Sequence, residues 1–213
     1  MKKLLYIHGL GSGANSHTSK ALRESLRNVE VYAPEIPQDP TEAYNFLVEF
    51  YRKNVPDIIV GSSLGGFYAS LIGGCYKILI NPAPVPHESI RNALGLGNYE
   101  YFSERSDGRE FYTLTEDFYR KLEELYHHFY SECIDEEFRY ETYAIIGLND
   151  SLLDSRASVN TFINNYPKEH LIEDVNLNHR PTDDEIRRRR RNRLWPCRDY
   201  RWCSQRVVLT VTL

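Results

Sequence analysis

The chain has 213 residues, of which 41% are hydrophobic and 26% charged, and its formal net charge is −4. That length suits one domain with a sizeable core, and no apolar run approaches the roughly 18 residues of a membrane span. The apolar run behind Lys2 and Lys3 is stopped by Gly9, too early for a signal peptide, so a cytoplasmic protein with no membrane partner is expected.

Charge is unevenly spread. From Pro181 onward there are nine Arg against four Asp or Glu, net +5, so the rest of the chain carries −9. Such asymmetry often marks a tail. The cysteines Cys75, Cys133, Cys197 and Cys203 show neither a CxxC pair nor a zinc pattern. Cys75 lies in an apolar stretch and reads as a small core residue. A cytosolic compartment argues against a Cys197–Cys203 disulfide.

In chain order, "KLLYIHG" is a strand ending at Gly9. Helical spacing follows at Ala21, Leu22, Ser25 and Leu26, then a strand at Val29–Ala33 closed by Pro34. "TEAYNFLVEFYRK" predicts a helix capped by Thr41, with Ala43, Phe46, Leu47 and Phe50 on one face. "DIIV" is a third strand, "SLGGFYASLIG" a helix behind it, and "KILIN" a fourth strand stopped by Pro82. From Ala83 to Phe138 no strand is predicted. Phe118, Leu122, Leu125, Tyr126 and Phe129 form a helical stripe there, with Asp117 and Lys121 paired at i,i+4. "RYETYAIIG" and "HLIEDV" are the fifth and sixth strands, with a helix near Ser155–Asn164 between them.

Strands alternating with helices predict an α/β fold: a mostly parallel sheet covered by helices on both faces. Residues 1–186 would form one domain, with a helical insert at about 83–138 placed to act as a lid. An aromatic stripe is more often core, and packing onto the sheet is the preferred role for most of these rings. Thr182 and Glu185 form a capping box for a last helix, which runs straight into an Arg-rich tail, 187–213, with no apolar face.

The chemistry centres on "GSSLGG". Gly61, Ser63 and Gly65 have the G-x-S-x-G spacing of a nucleophile elbow, a sharp strand-to-helix turn that lifts a serine hydroxyl above the sheet edge. Ser62 has the wrong spacing and reads as filler. A serine nucleophile needs a base, and the base an orienting acid, both on loops after later strands. "YAIIGLND" offers Asp150, with Asp154 in reserve; "HLIEDVNLNH" offers His179, with His170 in reserve at the wrong end of its strand. The N–H groups of Leu64 and Leu10 are the candidate oxyanion donors. Gly9, Gly11 and Gly13 let the first loop curl close to a substrate, and His8 could brace it.

With "HGLGSG" after a strand, then "GSSLGG", "ILINPA", "GLNDSLLD" and "NHR" in that order, the chain resembles the small YqiA/YcfP-like esterases of the α/β-hydrolase superfamily over about residues 2–186. The resemblance implies an α/β-hydrolase fold, no cofactor or metal, and cleavage of acyl esters or thioesters. It carries the nucleophile onto Ser63, the acid onto Asp150 and the base onto His179. The departure is the end of the chain, where an amphipathic helix would be expected and Arg187 to Leu213 does not supply one.

Two other readings have residues behind them. "GLGSGA", Gly9 to Ala14, fits a dinucleotide loop after a strand, with Glu35 about 20 residues on as the ribose acid. The acid would sit between two prolines, and the serine motif would be left unexplained. The run Arg187–Arg193 could meet nucleic-acid phosphates, but a charge run is usually a solvated segment. A non-catalytic interaction protein on the same fold is opposed by the complete Ser–Asp–His set. The sequence therefore predicts a serine hydrolase whose partner is a small acyl ester or thioester.

Overall fold

A computed structural model of the protein describes residues 1–131 and 139–179. The expected helix from Thr182, the arginine run and tail, and three of the four cysteines lie outside the described residues.

Six parallel strands form the main sheet: β1 (Lys2–Ile7), β2 (Val29–Tyr32), β3 (Ile58–Ser62), β4 (Tyr76–Ile80), β7 (Thr142–Gly147) and β8 (Leu171–Asp174), in the order β2-β1-β3-β4-β7-β8. Most central strands are short apolar runs because both of their faces are covered. Leu5, Ile7, Ile59, Leu79 and Ile146 belong to one core layer, and Leu4, Tyr6, Ile58, Val60 and Ile78 to the other. Helices α2 (Pro40–Asn54), α3 (Leu64–Ser70), α4 (Pro86–Leu94), α5 (Glu116–Ser131) and α6 (Ser155–Asn165) pack on the first layer. Helix α1 (His17–Ser25) covers the second through Leu22, with Leu26 just beyond it. Cys75 is buried, as expected, and burial pushes its thiol up to about 11.

Strand order reverses beside β1: the chain moves outward to β2, then returns past β1 to β3. In open parallel sheets the loops leaving the carboxyl ends at such a reversal frame a crevice. Here those loops are Gly9–Gly13 after β1 and the Ser63 turn after β3.

Two expectations are corrected. The insert does contain strands: β5 (Gly97–Glu100) and β6 (Phe111–Leu114) form an antiparallel ribbon in which Tyr99 pairs with Tyr112. Each is four residues long, and β5 has Gly, Asn and Glu in three of its positions, so no apolar run announces it. The ribbon is held instead by stacked rings, Tyr99 on Tyr112 at 5.6 Å, with Tyr112 fully buried. The cap of α2 is Asp39 rather than Thr41. Asp39 Oδ1 accepts from the N–H groups of Thr41 and Glu42 at 3.0 and 3.1 Å, and Pro40 takes the first helical position, where its missing N–H does no harm. The stripe on α5 packs inward as preferred: Phe118 and Leu122 are buried, while Leu125, Tyr126 and Phe129 lie against the same core. No described helix is long and apolar enough to cross a membrane.

Asp39 also pairs with Lys121 at 2.5 Å, tying α2 to α5. Burial raises the Asp39 pKa, but Lys121 and the capping N–H groups outweigh it and hold the carboxyl below its ordinary value. Its stabilisation is therefore complete above the unfolded value, about 4, and is lost as pH falls through the folded value. Asp39→Ala should cost about 1 kcal/mol at neutral pH, read from urea midpoints, and the gap to wild type should narrow in acid. A gap that widens in acid would contradict this account.

Candidate active site

The turn between β3 and α3 puts Ser63 at φ +54° and ψ −122°, a region that non-glycine residues rarely occupy and that costs about 1–3 kcal/mol. Backbone hydrogen bonds fix it there. Ser63 N–H donates to Ile80 O at 2.9 Å, and Ser63 O accepts from Gly66, Phe67 and Ala83. A Cβ at Gly65 would overlap the carbonyl oxygens of Ile7 and His8, and one at Gly61 would overlap Gly65 O. The small residues two positions either side of Ser63 thus let the elbow seat directly on the end of β1. Leu64 opens α3, so its N–H has no acceptor within the helix. Ser62 is more than filler: its hydroxyl is hydrogen-bonded to Tyr6 Oη at 2.9 Å, and both residues line the cavity described below.

The loop after β1 comes close to the serine. A Cβ on Gly9 would lie 3.2 Å from Ser63 Cβ. His8 is buried, and its Nδ1–H donates to Gly9 O at 3.0 Å, which leaves Nε2 towards Glu35 Oε2 at 3.8 Å. Burial, more than any other influence, lowers the His8 pKa and keeps the ring neutral. The bond ties the His8 ring to the backbone of the loop after β1.

Glu35 is not available as a ribose acid. It lies 3.3 Å from the Arg105 guanidinium and accepts from Ser106 N–H at 2.9 Å. Arg105 comes from the insert, and its side chain is only 2% exposed. It donates to Ile36 O at 3.2 Å and Ser12 O at 3.5 Å, pairs with Asp107 at 2.6 Å, and lies over the Tyr101 ring. The insert thereby clamps the first loop from outside. A buried arginine gives no periodic signal, and its partners lie as many as 93 residues away.

Asp150 follows β7 in a tight turn, where its Oδ1 accepts from Leu152 and Leu153 N–H, both at 2.8 Å. Its Oδ2 faces His179 Nδ1 at 2.7 Å, and the two side chains are 2% and 8% exposed. Two asparagines that sequence reasoning passed over hold this pair in register. Asn81, at φ +42° and buried, accepts from Gly147 N–H at 2.6 Å and donates to Asn178 O at 3.1 Å. Asn178 Oδ1 accepts from His179 N–H at 2.7 Å and from Ser151 Oγ at 3.0 Å. The available signal was a polar residue directly after the apolar run "ILI" and before Pro82.

Of the reserves, Asp154 caps α6, accepting from Arg156 and Ala157 N–H. His170 stacks on Tyr143 at 4.0 Å beside Thr142, the first residue of β7, far from the loops that leave the other end of the sheet.

Ser63, His179, Gly9 and Leu10 line one cavity of about 250 Å³. The insert supplies another wall through Ile90, Ala93, Leu94 and Phe102, as a lid would. Among the described residues no hydrogen bond joins Ser63 to His179. Such contacts often tighten only once substrate is bound.

A parallel sheet with a serine elbow after β3 and an Asp–His pair on the loops after β7 and β8 has the α/β-hydrolase fold. Residues 3–186 match the family described as "Uncharacterised protein family (UPF0227)", and the chain belongs to that family. This is the family its motifs resemble. Among solved structures, Est1E from Butyrivibrio proteoclasticus is 21% identical, with a TM-score of 0.57 over 84% of this chain and 79% of its own. Alpha/beta hydrolase domain-containing protein 10 from mouse is 14% identical, with a TM-score of 0.58 over 83% and 81%. The methylesterase MES16 from Arabidopsis is 16% identical, with a TM-score of 0.50 over 84% and 91%. These likenesses establish the fold.

Gly65→Ala should lower stability by about 3 kcal/mol or more, or prevent folding, because the new methyl meets backbone that cannot move aside. Gly108→Ala, at φ +73° with nothing within 4 Å, should cost only about 1 kcal/mol of backbone strain. Urea midpoints compare the two, and equal losses would count against the close seating of the elbow.

Proposed function

We propose that the protein is a serine hydrolase that cleaves small acyl esters or thioesters through an acyl-enzyme intermediate. One observation carries the reading: the Asp150–His179 hydrogen bond of 2.7 Å and the strained Ser63 turn border the same cavity. His179 Nε2 takes the Ser63 proton as Ser63 Oγ attacks the acyl carbonyl. Asp150 holds the ring by Nδ1–H and stabilises its charged form, while the two N–H groups on Oδ1 fix the carboxylate itself. The N–H groups of Leu64 and Leu10 receive the oxyanion. His179 then returns the proton to the leaving group, and water, activated by the same ring, releases the acid. No step calls for a cofactor.

The cavity favours a small acyl group. About 250 Å³ lies below the roughly 300–1,000 Å³ of pockets for drug-sized ligands. Its insert wall is largely apolar with one hydroxyl from Ser103, and Ser12 and Ser16 line it from the loop after β1. Neighbours of the same fold support the reaction class. Besides the methylesterase they include the N-acyl homoserine lactonase AidH, whose structure holds N-butanoyl homoserine, a short acyl chain.

A fluorophosphonate probe should label the wild-type protein and fail to label Ser63→Ala at an unchanged melting temperature. His179→Ala and Asp150→Asn should each lower kcat on p-nitrophenyl acetate by roughly 10³–10⁴-fold. Acetate and butyrate esters should be cleaved with a kcat/KM at least tenfold above that for octanoate. A folded wild-type protein that takes up no label would overturn the proposal.

A further inference from the structure

Outside the cavity lining, three metal-ligating side chains converge on the insert. His87 lies in the first turn of α4, and Glu123 and His127 lie four residues apart on one face of α5. One ligand atom from each lies within 4.8 Å of the others. We propose that His87, Glu123 and His127 form a binding site for a divalent transition-metal cation of the zinc type, bridging α4 and α5.

The donor set suits that class of ion. Two imidazoles and one carboxylate are borderline donors that bind zinc, cobalt or nickel and discriminate against magnesium and calcium, which take oxygen ligands. The three come from two separate helices. A chance cluster formed only by helical spacing would lie on one. The His87 side chain is 12% exposed, and its Nδ1 is buried with no hydrogen-bond partner. Buried ring nitrogens normally have a partner, so this atom lacks what a ligand would provide. His87 is also held among other aromatic groups, 5.4 Å from the Tyr126 ring and 5.9 Å from the His127 ring.

A tetrahedral site with bonds of about 2.1 Å needs ligand atoms about 3.4 Å apart, so the three must close in slightly. Glu123 and His127 are exposed enough to do so by changing rotamer. Water would take the fourth position. The site is distinct from the proposed catalytic centre but mechanically joined to it. Ile90, Ala93 and Leu94, further along α4, form the insert wall of the cavity. A cation between α4 and α5 would hold that wall against its neighbour.

The experiment titrates the full chain, stripped with a chelator, with Co²⁺ and Zn²⁺ alone. One equivalent of Co²⁺ should bind with the visible absorption of a low-coordinate nitrogen–oxygen site, and Zn²⁺ should displace it. His87→Ala, His127→Ala and Glu123→Gln should each weaken binding at least tenfold, with melting temperatures unchanged in the absence of metal. His128→Ala and Ser63→Ala should bind like wild type, which separates this site from the catalytic proposal. Absence of a one-equivalent cobalt signal, or a signal that survives His87→Ala, would overturn the inference.

Discussion

The first turn of α3 lies against the end of β1 with no side chain between them. Gly65 meets the carbonyls of Ile7 and His8, and Gly61 meets Gly65 across the turn. This contact between bare backbones holds Ser63 in a conformation that it would not adopt alone, and the ladder bond to Ile80 locks it from the other side. The same contact fixes the distance from the serine to the loop after β1, where a Cβ on Gly9 would lie only 3.2 Å from Ser63 Cβ. The serine turn and the loop that carries the proposed Leu10 donor are therefore positioned by one packing event.

Two polar clusters extend that rigidity outward. Arg105 brings an insert residue into a buried position that is tolerable only because Glu35, Asp107 and two carbonyls surround the guanidinium. The pairing holds the Asp107 carboxyl down at about 2, so the ion pair stays charged well into the acid range. On the other side, Asn81 reaches from the end of β4 to both β7 and the histidine loop. Each cluster joins segments that are distant in sequence, and each ends beside a residue of the proposed triad or its oxyanion loop.

The legible part of this fold was carried by local signals. Apolar runs marked most of the main strands, Gly-x-Ser-x-Gly marked the elbow, and distance from the strand ends favoured Asp150 and His179 as the proposed pair over Asp154 and His170. What stayed hidden depends on distance or on weak local pattern. The β5–β6 ribbon has four-residue strands stabilised by tyrosine stacking rather than by alternation. Asp39 displaced Thr41 as a cap because the following proline fits the first helical position. Asn81 and Arg105 look like ordinary polar residues until partners 97 and 93 positions away are brought beside them. Glu35 matched a nucleotide motif by spacing alone, and its real partner was in the insert.

The histidine loop leaves β8, which is four residues long, only half buried and, among the described residues, hydrogen-bonded to a neighbouring strand on one side only, β7. Strands at the rim of a sheet detach at lower free energy than the centre. Fraying of β8 would carry the imidazole away while the serine elbow stayed packed. For the proposed hydrolase, warming would then silence the site reversibly before the fold melts, so its temperature ceiling would be set by the rim of the sheet rather than by its core.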